Sequence, residues 1–250
     1  MAVSAAACRE SGPGAVAARA DSAAGRFLAS YGPATPEFAE FRDRLIANRF
    51  LDSIAERLND SLVIPRDLAL VTGHCAEPNA SYDPPSGRVT LCYELFQSLS
   101  HLFANQAGAE YLVAGTVVFA LMHELAHALI DVLDLPVTGR EEDAADQLAI
   151  LLLLEQGAVG DSLAFGAVGW LASNAQSIPP NDLTLAGEHG LELQRVYNLV
   201  CWIYGRDSTR YPELASDEWL PEFRRRRCPS EFARLERSWS TLLAPHRKAG

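Results

Sequence analysis

The sequence predicts an α+β fold that is mainly helical, with a small antiparallel sheet placed just before one central helix. Three observations carry this. A long apolar run from Tyr111 to Leu135 keeps helical spacing. Two short strand-like stretches, Leu68–Thr72 and Arg88–Tyr93, bracket a segment dense in turn residues. Several further stretches repeat apolar residues at helical intervals before and after them.

Residues 1–33 read as a disordered leader, rich in Ala, Gly and Ser. Arg9, Glu10, Arg19, Asp21 and Arg26 interrupt it, so it has no continuous apolar core and no recognisable signal peptide. Residues 34–246 then read as a single domain, without a repeat or a linker. A first helix is predicted over residues 36–59, with Thr35 as N-cap and Pro36 at the first helical position. Its apolar face is Phe38, Phe41, Leu45, Leu51, Ile54 and Leu58. The two strands follow, separated by a loop over residues 76–87 that holds Pro78, Asn79, Asp83, Pro84, Pro85 and Gly87. An exposed edge of such a sheet suits an extended peptide, which adds to it as a further strand. A helix over residues 94–103 precedes the central one, predicted over residues 109–133. Pro136 and Gly139 break the chain before a helix over residues 140–156, which opens with Glu141, Glu142 and Asp143. Helices over residues 162–174, 188–204 and 229–243 complete the pattern.

The chain of 250 residues is 48% hydrophobic, enough for one sizeable core. Its net charge of −11 and pI near 5.0 argue against nucleic acid or an anionic membrane as partner. The basic run Arg224–Arg227 is short and reads as a solvated face or as pairing with acids. The apolar run carries His123, Glu124, His127, Asp131 and Asp134, so no membrane span is expected. Cys75 with Cys92, and Cys201 with Cys228, are placed either as local disulfides of an oxidising compartment or as buried thiols, and the reading favours pairing. Cys8 is left over. Nothing in the sequence sets an oligomeric state.

His123-Glu124-Leu125-Ala126-His127 lies inside the central helix. Histidines four apart project from one face, one turn above the other, and both rings reach one ion. This HExxH pattern is a zinc signature: the histidines hold Zn2+, and Glu124 takes a proton from an activated water as it attacks a peptide carbonyl. A catalytic zinc needs a third protein ligand. Asp131, Asp134, Glu141, Glu142, Asp143 and Asp146 are the acids at hand. Asp131 lies a further turn along the same helix, too far to share the ion easily. A helix folding back after the 135–139 turn brings Glu141, Glu142 and Asp143 within reach, and periodicity does not choose among them. His189, Arg195 and Tyr197 are candidates for holding an oxyanion or the substrate, whereas His74, His101 and His246 have no assigned role.

Glu142-Asp143-Ala144-Ala145-Asp146 resembles the Glu-x-x-x-Asp element of gluzincins, the zincins with a His-His-Glu site. The resemblance implies Glu142 as third zinc ligand and Asp146 as hydrogen-bond partner of a zinc-binding histidine. The wider block from His123 to Asp131 and from Leu135 to Gln147, with Cys92–Leu95 upstream and Gln194–Trp202 downstream, is similar to a bacterial family of zincin-clan metallopeptidases without an assigned substrate. That family implies a minimal zincin-like fold, peptide or protein substrates and export to the periplasm. The competing reading is a catalytically silent zincin-fold module that binds metal or another protein.

Overall fold

The computed structural model describes residues 24–177, 185–217 and 219–248. The order is β1 (Phe27–Tyr31), α1 (Ala39–Ala47), α2 (Phe50–Ser61), β2 (Leu68–Gly73), β3 (Ala80–Asp83), β4 (Arg88–Cys92) and α3 (Tyr93–Phe103). There follow α4 (Ala109–Val132), α5 (Glu141–Leu154), α6 (Ala158–Ser177), α7 (Glu192–Arg206), α8 (Glu222–Arg225) and α9 (Cys228–Leu243). The mainly helical α+β class holds.

The sheet is mixed, which corrects the antiparallel expectation. Its order is β1-β2-β4-β3. β1, β2 and β4 run parallel, with Leu70 opposite Val89. Only β3 is antiparallel, with Ser81 opposite Thr90. Two parallel strands cannot be joined by a tight hairpin and need a crossover. The chain between β2 and β4 supplies one, and β3 forms within it, in the stretch read as loop. β1 falls inside residues 1–33, so the leader reading does not hold for residues 24–33; residues 1–23 lie outside the described part.

The first predicted helix is two. Arg49 has φ 50°, in the left-handed region, and stops α1 before α2 begins. The break turns Leu51, Ala55 and Leu58 into the core alongside Leu45. Thr35 does not cap it: its hydroxyl is buried without a hydrogen-bond partner among the described residues.

α4 runs through the middle of the core, with Phe119, Leu121, Leu125 and Leu129 fully enclosed. It is long and apolar enough to cross a membrane, yet 67% of that apolar window is buried against other elements. α5 folds back along α4 after the turn at Asp134. α6 crosses α4 at Gly115 and Gly166, whose α-carbons approach so closely that a Cβ on Gly115 would lie 2.4 Å from the Leu163 carbonyl oxygen. Thr116 Oγ1 donates to the Gly166 carbonyl at 3.0 Å across the same crossing.

Both cysteine pairs are disulfides, Cys75–Cys92 and Cys201–Cys228. Such bonds persist in oxidising compartments. The first ties the loop before β3 to the junction of β4 and α3. Glu94 reinforces it by accepting from the backbone N–H of Cys75 at 3.2 Å and of Ala76 at 3.0 Å.

Candidate active site

His123 and His127 project from the C-terminal half of α4, and Glu142 from the first turn of α5. His123 Nε2 lies 3.3 Å from His127 Nε2 and 3.0 Å from Glu142 Oε2. Glu142 Oε1 is 3.5 Å from His127 Nε2. The opposite nitrogens are held by other acids. His123 Nδ1 sits 2.9 Å from Asp146 Oδ1, and His127 Nδ1 sits 2.7 Å from Glu141 Oε1. Asp146 is buried and also receives Arg195, Nε to Oδ2 at 2.8 Å and Nη2 to Oδ1 at 2.9 Å.

This wiring bears on whether the cluster fits a metal. Asp146 is ionised and accepts only, so the proton of His123 is on Nδ1. Its Nε2 lone pair then faces the Nε2 of His127 and a carboxylate. Neutral rings cannot satisfy that arrangement; protons or a cation must. Zinc–nitrogen and zinc–oxygen bonds of about 2.0–2.2 Å in a tetrahedron place donor atoms about 3.3–3.5 Å apart. His127 Nε2 lies at that spacing from His123 Nε2 (3.3 Å) and from Glu142 Oε1 (3.5 Å), while the 3.0 Å approach of His123 Nε2 is to the other carboxylate oxygen, Oε2. One donor atom each from His123, His127 and Glu142 lies within 4.8 Å of the others. The donor set fits a divalent cation.

The electrostatics agree. Burial disfavours a charged His123, but hydrogen bonds to Asp146 and Glu142 outweigh it and raise its pKa to about 9. His127 is raised as well, burial again opposing and Glu142 and Glu141 prevailing. Burial pushes Glu142 up, but hydrogen bonds from His123, His127 and His189 carry it well below the usual carboxylate range. Burial likewise opposes Asp146, and His123 and Arg195 hold it down. Glu124 differs: burial raises it, and the nearby histidines only partly offset that. It faces the cavity and makes no ion pair with a histidine as close as those of the other acids.

That cavity, about 590 Å³, is lined by Ala80, Ser81 and Tyr82 of β3 together with His123, Glu124 and His127. β3 is the outermost strand, so one of its edges is free of sheet pairing. Tyr82 anchors this strand to α4: its hydroxyl donates to Asp131 Oδ2 at 2.6 Å, and Arg66 Nη2 donates to the same oxygen at 2.9 Å.

The sequence-derived residues divide as follows. His123, Glu124, His127, Glu142 and Asp146 come together. Glu141 lines the cavity and holds His127 Nδ1, and Asp143 does not line it. His189 is at the site, half-exposed, with Nε2 2.8 Å from Glu142 Oε2. Arg195 reaches the site only from behind, through Asp146. Tyr197 lines neither cavity beside the histidines. Sequence reasoning missed Tyr82, Arg66 and the anchoring use of Asp131; the only signal was an acid one turn beyond His127.

No curated protein and no solved structure matches the chain. Residues 31–243, from the last residue of β1 to the end of α9, match the family described as "Putative metallopeptidase", and the chain belongs to it.

Proposed function

We propose that the chain is an exported zinc peptidase of gluzincin type with a minimal zincin-like fold in one domain. The observation that carries this is the convergence of His123, His127 and Glu142 while Glu124 faces the same cavity. His123, His127 and Glu142 hold the ion, for which Zn2+ suits the two-nitrogen, one-oxygen donor set. Bound there, zinc supplies Lewis acidity toward a carbonyl and acidifies water near neutral pH.

The chain's own groups do the rest. Asp146 and Glu141 fix the ring orientations of His123 and His127 through their Nδ1 atoms. The substrate enters extended, as a strand alongside β3, with its backbone held by the outer edge at residues 80–82. Glu124 accepts the proton of the attacking water on its carboxylate and delivers it to the leaving amine. Its raised pKa brings it closer to the pH at which such a shuttle works well. His189, whose Nε2 meets Glu142 Oε2 at 2.8 Å, turns from that carboxylate once it holds the ion and offers its N–H to the oxygen where charge develops. Two disulfides and the family resemblance support an exported, periplasmic setting.

Glu124→Gln is expected to keep one metal ion per chain and to lose hydrolysis of an unfolded protein such as casein by at least a hundredfold. His123→Ala is expected to lose both. Wild-type protein that purifies and reconstitutes without stoichiometric metal overturns the reading. A catalytically silent module would instead retain metal and cut nothing.

A further inference from the structure

A second cavity, of about 280 Å³, opens beside His123 and Glu124, toward the N-terminal side of α4. Sites for drug-sized ligands span about 300–1,000 Å³, so this one suits a single side chain. Leu95 of α3, Phe119 and Ala120 of α4 and Trp170 of α6 give it apolar walls. Beyond the site itself, its charged members are Glu192 and Arg195. Arg195 is already committed, with two hydrogen bonds to Asp146. Its Nη1 stands 3.6 Å from Glu192 Oε2, outside hydrogen-bond reach. Glu192 Oε2 is buried and has no hydrogen-bond partner among the described residues.

A buried carboxylate oxygen without a donor is costly, and native chains tolerate few. A carboxylate turns readily about χ3, which lets either oxygen meet a group entering the cavity. Arg195 gives its hydrogen bonds to Asp146, so its attraction to Glu192 across 3.6 Å is coulombic alone and leaves Glu192 Oε2 beside this pocket still without a donor among the described residues. An apolar side chain entering it would leave the oxygen unpaired, and an acidic one would meet like charge. A long side chain with an aliphatic stem and a cationic head satisfies both the walls and the acid.

We propose that this cavity takes the side chain of a lysine or arginine of the substrate beside the scissile bond, with its cation on Glu192. The pocket thereby makes the chain select basic residues. This rests on the peptidase reading of His123, Glu124 and His127, and it names the substrate class of that site. The net charge of −11 favours encounter with cationic peptides in the same direction.

The test uses the zinc-loaded full chain carrying Glu124→Gln, which holds peptides uncut. Alanine hexapeptides with lysine at each position in turn, and their norleucine counterparts, are titrated by calorimetry. At one position lysine is expected to bind about tenfold more tightly or better, the yield of one charge-assisted hydrogen bond. Adding Glu192→Gln should bring that ratio close to one, while Glu192→Asp keeps part of it; thermal melts check that each variant folds. No binding, equal binding of lysine and norleucine at every position, or a ratio unmoved by Glu192→Gln overturns the proposal. Casein digestion by the chain with Glu124 intact is scored separately. A lysine preference in binding with no cleavage sinks the peptidase reading and leaves the pocket standing. Cleavage with flat binding ratios does the reverse.

Discussion

Replacing Asp146 by Asn exchanges one oxygen for an NH2 in the most enclosed part of the site. Asp146 takes part in three hydrogen bonds: Oδ1 with His123 at 2.9 Å and with Arg195 Nη2 at 2.9 Å, and Oδ2 with Arg195 Nε at 2.8 Å. An amide has a single acceptor oxygen. If that oxygen keeps the δ1 place, the NH2 meets the Arg195 Nε–H, donor against donor. If it turns over, the NH2 meets both His123 and the other arm of the guanidinium. In either pose Arg195, with its side chain 7% exposed, loses its hydrogen-bonded carboxylate and keeps only Glu192 Oε2, 3.6 Å away, as counter-charge. Stranding one member of a buried pair costs about 3–5 kcal/mol. The amide retains at least one of the three bonds, so about 3 kcal/mol is expected for the metal-free protein. Zinc affinity should also fall by about 10–100-fold, because no carboxylate holds the Nδ1 proton of His123. Adding Arg195→Met removes the stranded cation and should return most of the stability, since apolar replacement of a buried ion pair is often neutral or better. It should not return the zinc affinity. Urea unfolding of metal-free protein and competition with a chromophoric chelator measure the two quantities. The reasoning is refuted if the single variant unfolds at the wild-type midpoint, or if the double variant recovers affinity together with stability.

Two further outcomes follow from the same geometry. In metal-free protein the His123 pKa is raised from 6.5 to about 9, so its contribution to stability is complete below pH 6.5 and is lost as the pH rises through about 9. Urea midpoints should decline across that window while zinc affinity climbs, because the ion competes with the same protons; a flat profile in both would contradict the wiring of the site. The disulfides enclose sequence separations of 17 and 27 residues, which on chain entropy contribute about 3 and about 3.5 kcal/mol. Paired Cys→Ala variants should therefore lower the thermal midpoint, the Cys201–Cys228 pair slightly more; the opposite order would mean that native contacts outweigh loop length.

What could be read from the sequence was what lies close together in it. The HExxH spacing places two ligands and a base on one helix face. The break at Pro136–Gly139 implies the return of α5, which brings Glu141, Glu142 and Asp143 within reach; it is the resemblance to the gluzincin Glu-x-x-x-Asp element that singles out Glu142 and Asp146. Pairings across long separations left no such trace. The parallel register of β2 and β4 depends on a crossover whose strand, β3, sits among turn residues. β1 is hidden at the end of a stretch rich in small residues. The break at Arg49 has no Gly or Pro to announce it. Arg195, 49 residues from Asp146, looked free to face the substrate and instead lies behind the histidine. Glu192 and Trp170 carried no role in the sequence, and only their meeting at one cavity gives them a use.

The glycine crossing of α4 and α6 sets a mechanical tolerance for the site. A metal or catalytic constellation works only when its atoms are held to within about 0.5 Å. Side-chain tips lie about 5–6 Å from a helix axis, so a rotation of α4 by about 5° uses up that allowance. Gly115 sits about 12 Å, just over two turns, before His123. At that point backbone rests on backbone, with no side chain between to change rotamer and let the helix roll. The crossing therefore acts as an indexing pin: it sets the angle of the shaft on which both histidines and Glu124 are mounted.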